Sequence, residues 1–495
     1  MAERPLLIFP TQTAITRRAL TSGPSRSMRR PSREDQVGRI DPQFLVLENA
    51  FQQRRMQLNS DSSGVEPEMV LVFETRGPVD NFLIALRNFP ELEWLGDIEQ
   101  EYQPDNLFFY QDDATREIRG KVFFVMSNFR GLQQLKSLWD NYYRANQRFE
   151  RGTTKWRDLF DLLHDVRFWN VSDRLQETGI INDLRARIAQ QEEHINFEIE
   201  LWFRSTSAKR TEAKNRVLAL VEEFEGELIK ECTIEDISYH ALLVRASVRV
   251  FDNLAEDTSI ELFKAYDVMY IRPVGQCAVE VLPIDEVEEM NAAPTATTLT
   301  APIVALLDGL PLQNHSVLAN RLTIDDPDNF EADYPANNRT HGTAMASLIV
   351  RGDLDSADRH LKSRLYVRPI MKSYEDFSRT FEKIPENVLT LDIIHRAVRR
   401  MFEAADGATA ESVKVINLSI GDPSRIYDNS ISSLARLIDW LSYKYNVLFV
   451  ISAGNCFDAL AIPNLQTVIS QPDDLAKHSI RFIYDNIRHR KIISP

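Results

Sequence analysis

Three cysteines in 495 residues, Cys232, Cys277 and Cys456, stand too far apart to form a CxxC redox pair or a zinc cluster. They read as free thiols and predict a reducing cytoplasm rather than an oxidising compartment. No run approaches the ~20 consecutive apolar residues of a membrane span, and 43% hydrophobic with 26% charged residues reads as a soluble globular chain with no membrane partner. A secretory leader is also missing: the early apolar piece LLIF is too short and precedes its arginines. Among nine histidines there is no HExxH or similar spacing, so no metal is expected. The acidic DDPD, Asp325 to Asp328, lacks EF-hand spacing and reads as a solvated turn rather than a calcium loop. Neither GxxxxGK(S/T) nor GxGxxG occurs, which argues against nucleotide binding, and no cofactor is implied.

Positive charge is scarce too. A net charge of -15 excludes a general nucleic-acid binder, because such proteins neutralise phosphates with clustered Lys and Arg. The exception is the N-terminus, where Arg4, Arg17, Arg18, Arg26, Arg29, Arg30 and Arg33 face only Glu3 among Ser, Thr, Gly and Pro. Residues 1–40 therefore read as a flexible basic tail.

Apolar patterning divides the rest. MVLVFET, VDNFLIALRNF, LEWLGDIEQEY, KVFFVMS and LQQLKSLWDNYYR read as strand, helix, extended stretch, strand and helix, an α+β module over 41–150. Residues 151–192 read as a mostly helical connector. INFEIELWF, AKRTEAKNRVLALVEEF, ALLVRASVRVF, SIELFKAY and VMYIRPV repeat a similar order over 193–284, and both runs predict ferredoxin-like units. An acidic cluster passing into Ala, Pro and Thr marks a linker at 285–301. From 302 to 495, IVALL, RLYVRPI, VKVINLSI and NVLFVIS alternate with helical segments that start near His341, Leu389 and Ile431. Apolar strands without polar alternation predict a parallel α/β sheet.

Functional side chains in such sheets gather beyond the carboxyl ends of the strands. IVALL runs into Asp308 and Gly309, VKVINLSI into Gly421, and NVLFVIS into Gly454 and Asn455, while His341 begins a helix in THGTAMASLI. Asp, His and an Asn amide are what acyl transfer needs apart from its nucleophile: the Asp orients the imidazole, the His moves protons, and the amide binds the oxyanion. The positive end of the helix dipole disfavours imidazolium at His341, which makes a carboxylate partner more important.

These segments, in this order, resemble the subtilisin-like serine peptidases, or subtilases, over about two-fifths of the chain. VALLDGL resembles the family's aspartate segment and THGTAMASLI its His-Gly-Thr segment, which implies a catalytic Asp308 and a base at His341. NLSIG resembles the strand that holds extended peptide substrates, implying Leu418, Ser419 and Gly421, and SAGN resembles the oxyanion segment, implying Asn455 beside Gly454. The implied activity is serine endopeptidase cleavage of peptide or protein substrates. The implied fold is an α/β subtilisin-like domain behind an α+β region.

The family's nucleophile does not follow. After Asn455 there is no glycine, and Ser470, Ser479 and Ser494 stand in contexts unlike the family's Gly-Thr-Ser segment. The expectation is a C-terminally incomplete subtilase, inactive as given; a non-catalytic peptide-binding or regulatory protein is the alternative. The resemblance also implies a propeptide-like role for Ile195 to Val281, just before the linker, and an AAA-type ATPase as partner.

Overall fold

Val37, Ile40, Phe44, Leu47 and Phe51 recur every three or four residues, the spacing of one helical face, and all five are buried. They lie on α1 (Arg33–Ser60), which follows the short strand β1 (Met28–Arg29) in a computed structural model of the chain. The structure describes residues 28–60, 67–77, 79, 82–143, 154–175, 178–251, 261–274, 279–280, 299–352, 360–376, 379–403, 409–421 and 431–452. The tail boundary at residue 40 is corrected here, because residues 33–40 are the first turns of α1: its apolar stripe outweighs the charges between. Residues 1–27 lie outside the described residues.

Residues 1–168 and 169–495 form two compact units. The first continues through β2 (Glu68–Thr75), α2 (Phe82–Leu86), β3 (Leu92–Tyr102), β4 (Phe109–Tyr110, paired with β1), β5 (Ile118–Asn128), α3 (Phe129–Tyr143), α4 (Thr154–Leu162) and β6 (Leu163–Phe168). Its antiparallel sheet has the order β3-β5-β2-β6, the ferredoxin-like plan predicted from the pattern. The helical connector over 151–192 is corrected: β6 within it is the fourth strand of this sheet. In LHDVRF the apolar residues Leu163, Val166 and Phe168 fit a helical spacing as well as a strand, and pairing with β2 decides between them.

The second unit opens with α5 (Val171–Leu175) and α6 (Ile180–Ala189), then β7 (His194–Leu201), α7 (Ser207–Glu223), β8 (Glu227–Ile234), β9 (Tyr239–Ser247), α8 (Glu261–Lys264) and β10 (Val268–Pro273). The antiparallel order β10-β7-β9-β8 makes a second ferredoxin-like sheet. Its edge strand β8, ELIKECTI, escapes the apolar pattern because most of its residues are charged or exposed. Beyond β11 (Val279–Glu280), most of the predicted linker lies outside the described residues, and the next strand starts at Thr300.

The remaining strands are β12 (Thr300–Asp308), β13 (Leu322–Ile324), β14 (Ser363–Pro369), β15 (Lys372–Asp376), β16 (Arg379–Lys383), β17 (Val415–Leu418) and β18 (Leu448–Ile451). Helices α9 (His341–Arg351), α10 (Thr390–Glu403) and α11 (Ser433–Tyr445) alternate with them. β13-β14-β12-β17-β18 is a five-stranded parallel sheet. Ala346 and Val350 of α9 cover one face through Leu306, Leu365 and Val367. On the other face Ala305, Leu307 and Ile416 meet α10 and α11 in a core that continues into Ile234, Ala241 and Leu243 of the second ferredoxin-like sheet. The two helices thus share one core with both sheets. Charged contacts tie the same parts together: Arg187 to Glu386 at 3.2 Å and Lys230 to Asp392 at 2.5 Å.

A hairpin of β15 and β16, with β11 paired antiparallel to β16, stands beside the parallel sheet as a separate three-stranded sheet. The DDPD turn is half-buried and ion-paired rather than freely solvated: Asp325 meets Arg400 at 2.9 Å, and Asp328 meets Arg368 and Arg396. Among the described residues no helix is long and apolar enough to cross a membrane.

Candidate functional site

β12 delivers Asp308, fully buried, to the carboxyl end of the parallel sheet, and α9 starts at His341. Nδ1 of His341 lies 2.7 Å from Oδ1 of Asp308. A carboxylate only accepts, so Nδ1 carries the proton and Nε2 is left as the basic nitrogen. The same Oδ1 accepts the Gly309 N–H at 2.6 Å, while Oδ2 has no hydrogen-bond partner among the described residues. Burial pushes the Asp308 carboxyl above the usual carboxylate range, against the pull of His341 and of the Gly309 N–H. At His341 burial acts downward, but the hydrogen bond to Asp308 and the charges of Asp308 and Glu382 outweigh it and hold the imidazole above its ordinary value.

Each residue of His-Gly-Thr has a separate task. Gly342 lets α9 approach the end of β12: a Cβ there would stand 2.6 Å from the carbonyl carbon of Gly309 and nearer still to its oxygen. Thr343 accepts the Leu312 N–H on its Oγ1 at 2.9 Å and so ties the loop after Asp308 to the helix. A Cβ at Gly309 would meet Oε1 of Glu382 and the Tyr334 hydroxyl at 2.5 Å, side-chain ends that would have to move aside.

Glu382 is the group that sequence reasoning missed. It sits on β16, in a strand whose sequence RTFEK looks like solvated surface, yet its side chain is fully buried. Its Oε2 accepts the His341 N–H at 2.6 Å and the Thr340 hydroxyl at 2.9 Å, and its Oε1 accepts the Tyr334 hydroxyl. Burial and the neighbouring carboxylates of Glu382 and Asp308 push the Tyr334 phenol well above its ordinary value, which keeps it a neutral donor.

The other predicted residues are placed unevenly. Leu418 ends β17 with its side chain in the core, half-buried Ser419 donates to Oδ1 of Asn417 at 2.9 Å, and Gly421 is exposed. Gly454 and Asn455 lie outside the described residues, as do Ser470, Ser479 and Ser494. Among the described residues no group of His, Cys, Asp and Glu could hold a metal ion.

No curated protein matches the chain. Residues 300–477, which contain both sides of the Asp308–His341 contact, match the family model of the subtilases, peptidase S8, and this part of the chain is a subtilase-family domain.

Proposed function

We propose that the domain serves serine-type endopeptidase chemistry, with His341 as general base and Asp308 as the carboxylate that orients it and stabilises its cation. The 2.7 Å bond from Nδ1 to Asp308 carries the reading, because it fixes the tautomer in which Nε2 can take a proton. A serine hydroxyl placed against Nε2 would lose its proton to His341 as its oxygen attacks the scissile carbonyl. His341 then returns the proton to the leaving amine, and water releases the acyl group by the reverse order of steps. Asn455 is assigned the oxyanion, and Leu418, Ser419 and Gly421 the extended peptide substrate, on the strength of their segments in the subtilase match.

The 495 residues contain no Gly-Thr-Ser segment after Asn455, and this chain alone is expected to hydrolyse no peptide. The module over 193–284 is assigned a propeptide-like role, supported by its shared core with α10 and α11 and by β11 lying along β16. A fluorophosphonate probe tests the catalytic reading. The 495-residue chain should stay unlabelled, whereas a product extended by any in-frame Gly-Thr-Ser segment past the Pro495 codon should label in a His341-dependent way. Labelling of the 495-residue chain, abolished by His341→Ala, overturns the inactivity; an extended product that never labels overturns the endopeptidase reading.

A further inference from the structure

The first backbone N–H groups of a helix lack partners inside the helix, and a helix usually meets part of this need with the side chain just before it. α9 does not. Thr340 stands at its N-cap in a helical conformation and makes no side-chain cap bond. The His341 N–H is bound instead by Oε2 of Glu382, 41 residues further along the chain, and the Thr340 hydroxyl turns to the same oxygen. Glu382 is fully buried, and these partners and Tyr334 are uncharged donors, two hydroxyls and one N–H. A buried carboxylate among neutral donors is costly unless something positive lies close. The positive groups on offer here are the start of α9 and the imidazole that begins it.

We infer that Glu382 is a positioning residue for the Asp308–His341 pair: its carboxylate caps α9, holds His341 facing Asp308, and supplies a second buried anion that favours the imidazolium form. This offsets the helix dipole, which taken alone opposes a cation at that position. The arrangement divides the work. Asp308 on β12 sets the ring through Nδ1, and Glu382 on β16 sets the backbone from which the ring projects. The charges acting on the imidazole are those of Asp308 and Glu382. Tyr334 remains neutral, and the Arg339 guanidinium is engaged by the Tyr334 carbonyl at 2.9 Å and by Glu331 at 3.3 Å. The relevance to peptide hydrolysis rests on the function proposed above; the positioning of His341 does not.

NMR titration of the full chain with ring-labelled histidine tests this, with the His341 signal assigned by its loss in His341→Ala. Glu382→Gln keeps a hydrogen-bond acceptor and removes the charge, and the His341 pKa should fall by about one unit, as expected for loss of a nearby anion. The downfield Nδ1 proton of the bond to Asp308 should shift or broaden in the same variant. An unchanged His341 titration in a folded Glu382→Gln chain overturns the inference, even if its melting temperature drops, because a purely structural role would lower stability alone. Should the Gln variant not fold, Glu382→Asp keeps the charge and withdraws it by one methylene: a smaller fall in the same direction supports the inference, and no fall overturns it. A failed fluorophosphonate test alongside a shifted His341 leaves the positioning role standing and removes the peptidase reading. The opposite pattern does the reverse.

Discussion

Replacing Gly342 by alanine should break the Asp308–His341 contact without touching either side chain. The added Cβ would stand 2.6 Å from the carbonyl carbon of Gly309 and 3.2 Å from its Cα, all of it backbone that cannot rotate away. Ordinary carbon–carbon contact begins near ~3.5 Å, so α9 and the end of β12 must separate by at least about 0.9 Å, and by more to clear the Gly309 carbonyl oxygen, which stands nearer still to the added Cβ. If α9 recoils as a body, the 2.7 Å bond between His341 and Asp308 opens to roughly 3.6 Å or more, a length at which a hydrogen bond no longer exists. The same separation strains Thr343, which holds Leu312, and the Glu382 cap on His341. Overpacking of this kind costs about 1–3 kcal/mol of stability. Urea unfolding followed by tryptophan fluorescence gives the stability, and the downfield Nδ1 proton gives the bond. The His341 titration should move down, since burial remains while the bond to Asp308 that outweighs it is lost. A folded Gly342→Ala chain that keeps both the downfield proton and the parent titration would show that the close approach of α9 to Gly309 does not hold the pair together.

Four further outcomes follow from the same geometry and its neighbours. Because the folded pKa of His341 lies above its unfolded value, its contribution to stability is full below ~6.5 and is lost as pH rises through the folded pKa; Asp308→Asn should flatten that part of the urea-midpoint profile above ~6.5. Burial pushes the Cys232 thiol up to about 12, so in a chain carrying Cys277→Ser and Cys456→Ser a thiol reagent at pH 8 should react only after urea is added. Arg187→Ala leaves Asp183, Glu192 and Glu386 without their shared cation, and breaking a largely buried network of this kind should lower the stability of the second unit by about 2–4 kcal/mol in urea unfolding. Tyr334→Phe removes the hydroxyl bonded to Glu382 without removing the ring; an unmet buried acceptor should cost about 1–3 kcal/mol, again read by urea unfolding.

The parallel sheet was legible because its strands are apolar runs without polar alternation, even at the exposed edge strand β18: IVALL, RLYVRPI, VKVINLSI and NVLFVIS fall on β12, β14, β17 and β18. The helices from His341, Leu389 and Ile431 likewise fall on α9, α10 and α11 within two residues or fewer of their starts. What escaped was structure whose identity depends on partners. β6 can be told from a helix only by its pairing with β2, and the charged hairpin of β15 and β16 has no apolar signature. The apolar stripe of α1 was hidden at its start by the arginines around it, because composition averages over the periodicity that burial follows.

The site shows the same division more sharply. Asp308 and His341 could be named because their neighbours constrain them locally: Gly309 and Gly342 permit the close approach, and Thr343 ties the loop, so the short motifs carry the geometry within themselves. Glu382 has no such neighbours. Its role exists only because the hairpin folds back and brings a carboxylate 2.6 Å from the backbone N–H of a residue 41 positions earlier. A local pattern can encode which residues meet, provided the constraint on meeting is itself local. The electrostatic balance at the imidazole is set first by Asp308 and adjusted by distant chain that arrives later in the sequence. The motif therefore accounts for His341 standing against Asp308, while how readily it holds a proton depends on Asp308 first and on Glu382 of β16 besides.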